Sequence, residues 1–245
     1  MDPKSIEAVA TATTEVARTS GKAIDAATRL GGFVGDLIVE PVREKFGIWT
    51  DNLKARRAEN MIDLQLRLQR KLETLPGAVE LRQIPWRVGV PLLEAAAIEE
   101  QPELRDRWAS LLANFANAGS GIQIHKSFVT VLAELSPLEV GIMDKIYALP
   151  TQHQSGGPAT LGNRGVLTAG LPEVVEFQPE GWQVDFKVPA PEVQLALSNL
   201  VRLGLLLRPT MHGSAEATWV VYRCEFGAEL VRACTSAAGY TQTQS

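Results

Sequence analysis

The chain has 245 residues, 45% of them hydrophobic and 21% charged, with a formal net charge of −4. That balance belongs to a soluble globular chain long enough for one large core or two small ones, and two units are expected. It excludes disorder of the whole, and an acidic chain lacks the cationic footprint of a protein whose main work is neutralising phosphates.

The charge is uneven: residues 1–87 carry 14 basic against 12 acidic side chains, and residues 88–245 carry 10 against 16. Residues 4–30 are rich in Ala and Thr, with Ile6, Val9, Val16, Ile24 and Leu30 as apolar anchors, and read as a weakly amphipathic helix. Phe33, Val34, Leu37, Ile38, Val42, Phe46 and Trp49 then fall along one helical stripe, which Pro41 should kink. From 49 to 75 the spacing predicts a long helix with Met61, Leu64, Leu68 and Leu72 on its apolar side, stopped by Pro76 and Gly77. Its polar side carries Lys54, Arg56, Arg57, Arg67, Arg70 and Lys71, interleaved with Asp51, Glu59, Asp63 and Glu73, which is the pattern of a solvated, self-compensating face. Should the Gly-interrupted segment before it lie on an acidic membrane, Arg43, Lys45, Lys54, Arg56 and Arg57 would add attraction. Residues 21–57 are therefore a candidate peripheral membrane contact.

Residues 84–86 read as an extended entry, and Val90-Pro91-Leu92 as the start of a short helix with Pro in its first turn. A helix over 103–117 follows, where Leu104, Trp108, Leu111, Leu112 and Phe115 recur at the spacing of one core-facing side. Another helix covers 127–135. Ser136-Pro137-Leu138-Glu139 then writes a capping box that starts a helix over 137–148. Residues 150–165 turn to Thr, Gln, Ser, Gly, Pro and Asn, a flexible loop. Residues 166–189 carry no clear pattern. A helix over 191–203 is ended by Gly204, residues 205–208 and 218–223 pair as a hairpin, and a short helix over 226–233 precedes a polar tail.

The expected fold is mainly α, in five parts: a small-residue, Gly-rich amphipathic helical region (1–48), a helical core (49–149), a flexible loop (150–165), a helix–hairpin–helix unit (166–236) and a tail (237–245). Chemistry-bearing clusters are missing from it. His125, His153 and His212 lie far apart with no ligand partners at metal-binding spacing, so no metal and no cofactor is expected. Gly31-Gly32-Phe33-Val34-Gly35 lacks the preceding strand and the Lys of a phosphate cradle, and Glu99 and Glu100 read as solvated helix-end carboxylates. Cys224 and Cys234 have no partnering His and read as two half-buried small apolar residues, reduced in a cytoplasmic setting. Catalysis is not expected.

Four stretches carry a resemblance: VPLLEAAAIEE from Val90, ELRDRWASLLANFAN from Glu103, HKSFVTVLAELSPLE from His125 and NLVRLGLL from Asn199, with YRCEFGAELVRAC at the end. Together they resemble the Abi-alpha family, abortive-infection proteins of bacteria. The resemblance implies a helical N-terminal and central part, a small winged-helix-like C-terminal unit, a role in defence against phage, and no catalytic residue. The expectation is a non-enzymatic protein working through contact with a protein, a second copy or a membrane surface, in the cytoplasm or peripheral at the inner membrane. The competing reading is a DNA-binding winged-helix regulator that uses residues 191–203 as a recognition helix and Arg202, Arg208 and Arg223 as contacts. Three cations are few for the phosphate contacts of specific binding, so nucleic acid is disfavoured.

Overall fold

The computed structural model describes residues 51–75, 80–150, 164–178, 187–209 and 219–235. Residues 1–50 with Arg43 and Lys45, most of the loop after Pro150, the turn at His212 and the tail lie outside the described residues. The described fold is mainly helical with one four-stranded antiparallel sheet, and the chain divides into two compact units, Met1–Val129 and Thr130–Ser245.

The first unit is built on α1 (Asp51–Glu73), α2 (Trp86–Ile98) and α3 (Pro102–Ala116), with α1 packed on both of the others. Leu64 and Leu68 of α1 are buried, as its apolar stripe predicts. In α3, Leu104, Trp108, Leu111, Leu112 and Phe115 are all buried, yet burial extends round the whole helix from Trp108 to Ala116. The reason lies in Ala109, Ser110, Ala113 and Ala116, whose small side chains let neighbours press on the side that the Leu and Phe stripe does not occupy.

α2 begins at Trp86, earlier than the sequence suggests, with Pro91 inside it. Its first turn is set by Pro85, whose carbonyl accepts from the amides of Val88 and Gly89 at 2.9 and 3.0 Å. Burying Val88, Leu92 and Leu93 stabilises by about 1.5–3 kcal/mol each. An interior Pro costs about 3 kcal/mol, so packing wins.

Between α1 and α2, residues 80–82 run beside the end of α3. Leu81 bridges to Asn117, the Arg82 amide donates to Ala116 O at 2.7 Å, and the Ala118 amide donates to Glu80 O at 2.8 Å. The Arg82 guanidinium then donates to Phe115 O at 2.7 Å, to Asn114 O at 3.4 Å and to Ile122 O. Phe115 and Ala116 stand in the last turn of α3, so Arg82 satisfies carbonyls that the helix end would otherwise leave orphaned, and it also ties in the Ile122 carbonyl beyond that helix.

The division between units falls within α4 (Lys126–Leu132), and α5 (Pro137–Ala148) belongs to the second unit rather than to a core ending near 149. Side chains of α5 bond to later elements of that unit, as described below. The capping box is present in full: Ser136 Oγ accepts from the Glu139 amide, and Glu139 accepts from the Ser136 amide. The patternless stretch after 166 holds β1 (Val166–Leu167) and β2 (Glu176–Phe177), each too short to show an alternation. α6 (Pro191–Arg202) leads to β3 (Leu206–Leu207), β4 (Val220–Arg223) and α7 (Glu225–Cys234). The strand order is β2-β1-β4-β3, with Val166 opposite Phe177 on one side and Val221 on the other, and Leu206 opposite Arg223. β3 and β4 are the expected hairpin strands; the sequence gives no sign of the two added beside them. Gly204, at φ +71°, takes the left-handed conformation that ends α6 and turns the chain into β3.

Candidate interaction surface

Two cations of α1, Arg67 and Lys71, meet Asp106 of α3, and Asp63 of α1 itself meets Arg67 and Arg105. Arg67 reaches Asp63 at 2.9 Å and Asp106 at 3.5 Å, Lys71 reaches Asp106 at 2.8 Å, and Arg105 lies 3.7 Å from Asp63. Burial raises the Asp106 carboxyl, but the hydrogen bonds and charges of Lys71 and Arg67 outweigh it and hold the group below its ordinary value. Of the five cations proposed for a membrane, the described side chains are Arg56 and Arg57. Arg56 lies 3.7 Å from Glu100, both 77% exposed, and Arg57 is half-buried. Lys54 lies in α1, but its side chain is outside the described residues, as are Arg43 and Lys45.

The three cations proposed for DNA divide differently. Arg223 is 5% exposed, a correction to its expected role: the burial pattern of β4 turns it inward. It donates to Leu149 O at 2.7 Å and to Pro150 O at 3.2 Å, and stands 5.2 Å from the Phe177 ring centroid. Burial lowers its affinity for the proton. Arg208 is exposed just past β3. Arg202, on the outer side of α6, donates Nε to Asn199 Oδ1 at 2.9 Å and Nη2 to Glu134 at 2.5 Å.

Those bonds belong to a longer chain. Asn199 donates Nδ2 to Glu139 Oε1 at 2.6 Å, and Glu139 Oε2 accepts from the amide and hydroxyl of Ser136 at 2.6 and 2.7 Å. Glu139 is 5% exposed, and these donors satisfy its carboxylate. The relay Glu134–Arg202–Asn199–Glu139–Ser136 thus joins α6 to the turn between α4 and α5. The opposite side of α6 is apolar, with Val193, Ala196, Leu197 and Leu200 buried. Outward, on the same line as Arg202, stands Leu195 at 74% exposure, with the exposed Glu192 one turn earlier.

A second polar knot closes the other end of α5. Tyr147 donates to Leu205 O at 2.5 Å and accepts from the Cys224 amide at 3.1 Å. Burial raises its hydroxyl well above its ordinary pKa. A Cβ on Gly227 would overlap the Tyr147 hydroxyl and the Leu205 carbonyl, so glycine is required where α7 passes. Cys224 caps α7, its sulfur accepting from the Gly227 amide at 3.4 Å, and it is half-buried as expected, whereas Cys234 is fully buried. Neither cysteine forms a disulfide. His125 is exposed and meets Phe128 edge to face. Among the described residues no group of three or more His, Cys, Asp or Glu could hold a metal ion, and no helix is long and apolar enough to cross a membrane.

A sequence model of Abi_alpha, abortive infection alpha, matches residues 56–234, well over half of the chain. The chain belongs to the Abi_alpha family. Membership connects it in general terms with abortive infection, a defence against phage. No curated protein and no solved structure matches the chain. The Abi_alpha match runs from Arg56 in α1 to Cys234 at the end of α7, and so takes in the charged contacts of α1 with α3, the relay under α6 and the Tyr147 knot. Sequence reasoning missed Asn199, Tyr147 and Arg82 in this Abi_alpha chain, because each acts on a partner more than 30 residues away that no local pattern announces. Glu139 had a signal in the capping box, though not for its bond to Asn199.

Proposed function

We propose that this Abi_alpha protein serves abortive infection without catalysis, by docking a protein on the outward face of α6. In this reading the second unit is winged-helix-like, with α6 in the place of the recognition helix and β3–β4 as the wing. The observation that carries it is the exposed Leu195 beside Glu192, on a helix whose one cation, Arg202, is already held by Glu134 and Asn199. Specific DNA binding needs several cations aimed at phosphates. An exposed Leu bordered by an acid and a fixed ion pair suits a protein surface better. Residues 130–245, with 7 basic and 11 acidic side chains, would also repel a polyanion. Against catalysis, the buried Glu139 and the half-buried Tyr147 are ionisable groups whose hydrogen bonds serve to join elements.

The test is plating of a phage that the intact chain restricts. Leu195→Asp should abolish protection while the purified protein keeps its circular dichroism and melting temperature, since the residue buries almost nothing. Unchanged protection refutes the docking face. A mobility shift of duplex DNA that weakens with salt and disappears in Arg202→Ala would replace this reading with the DNA-binding one.

A further inference from the structure

We infer that Arg164, backed by Arg223, forms a binding site for a single phosphate group at one end of the sheet, a property independent of the reading of α6 given above. Strand register brings the two cations together. Val166 of β1 stands opposite Phe177 of β2 on one side and Val221 of β4 on the other. Arg164 and Arg223 each lie two residues beyond that row, at the same end because β1 and β4 are antiparallel, so both belong to the face that carries Phe177. Their guanidinium carbons stand 5.1 and 5.2 Å from the centroid of the Phe177 ring. Two groups that near one ring lie within about 10 Å of each other, a range over which like charges repel when water is largely excluded.

What meets Arg164 offsets that repulsion only in part. It donates Nη2 to Gln178 O at 3.0 Å, while its Nε–H is buried and finds no acceptor. A carbonyl and an aromatic face carry partial negative charge, and neither neutralises a cation. Among the described residues no carboxylate lies within ion-pair distance of Arg164, and Glu176, which precedes Phe177 on β2, stands on the opposite face. Arg223 is 5% exposed and anchored by the Leu149 and Pro150 carbonyls at 2.7 and 3.2 Å, so its charge is fixed behind Arg164. An oxyanion beside Arg164 meets both needs, an acceptor for the guanidinium and a counter-charge for the pair. Phosphate suits them better than a carboxylate, because two cations match the two negative charges it carries above a pH of roughly 6 to 7. Arg164 and Phe177 are half-buried, so the approach lies on the Arg164 side. The acidic balance of residues 130–245 selects a small phosphate over a polyanion.

The test titrates the purified full chain with inorganic phosphate against chloride at equal ionic strength. Phosphate should raise the melting temperature and broaden its own phosphorus NMR line, both saturably, and more strongly at about pH 8 than at about pH 5.5. Arg164→Gln should weaken binding about tenfold or more, and Arg164→Lys, which keeps the charge and loses the planar fork, by less. Arg208→Gln removes an exposed cation just past β3 and should bind as wild type does. Titrations run below each variant's melting temperature, so lost stability does not pass for lost binding. A nucleoside monophosphate and its nucleoside distinguish the sources. If the monophosphate acts at lower concentration than inorganic phosphate and the nucleoside is inert, the group arrives on a larger molecule; if inorganic phosphate acts at the lower concentration, the ligand is the free ion. No saturable effect of phosphate over chloride, or equal binding by Arg164→Gln, overturns the inference. Should Arg164→Gln not fold, undiminished binding by Arg164→Lys overturns it instead.

Discussion

Replacing Tyr147 by Phe removes one oxygen and leaves the ring. The hydroxyl has a single proton, and its shortest acceptor is the Leu205 carbonyl at 2.5 Å, while the same oxygen accepts from the Cys224 amide at 3.1 Å. Leu205 is fully buried, so its carbonyl has little recourse to water. Two hydrogen bonds at a net 0.5–1.5 kcal/mol each, together with the penalty for the groups left unsatisfied, give a loss of about 2–4 kcal/mol. For a unit of about 100 residues, each kcal/mol moves the melting temperature by roughly 4–8 °C, so calorimetry should record a fall of at least about 8 °C. The Phe variant should also lose a pH dependence. Burial raises the folded-state pKa of Tyr147 above the ordinary 10.0, so the neutral hydroxyl's contribution is complete below pH 10 and is lost as pH rises and the unfolded chain ionises. Wild type should therefore weaken relative to Tyr147→Phe above pH 10. Equal melting temperatures near neutrality would refute the account of a knot between α5, β3 and α7.

Two further predictions concern the first unit. Arg82→Ala leaves the Phe115 and Ile122 carbonyls without their charged donor and should cost about 2 kcal/mol, read as a lower urea midpoint with unchanged slope. Asp106→Asn should cost less than about 1 kcal/mol at pH 7, because its contacts with Lys71 and Arg67 are half-exposed. The Asp106 carboxyl is held below 3.8 in the folded state, so its contribution is present above that pH and lost below it. The gap between wild type and variant should close as pH falls through and below 3.8; a gap that persists there argues against the charge contacts of α1 with α3.

Features confined to one turn of chain were legible from the sequence. The capping box at Ser136, the stop at Gly204 and the apolar stripes of α1 and α3 all rest on contacts within four residues, where spacing and geometry are the same thing. The mainly α class and the β3–β4 hairpin followed from such signals, and the family likeness from the stretches that carry it. What each polar side chain does was a different matter. Arg202 and Arg223 are the same residue type on the same unit, and both were read as solvent-facing contacts; one is exposed beside Glu134 and the other is enclosed against Leu149 and Phe177. Only the pairing of β1 with β4 and the docking of α5 decide between them. β1 and β2 are too short for a period of two to register, and α5 joins the second unit through Glu139 and Tyr147, whose partners stand 58 to 77 positions away. Local geometry is written in the order of residues, whereas the partner of a buried donor is chosen by whichever element packing brings beside it.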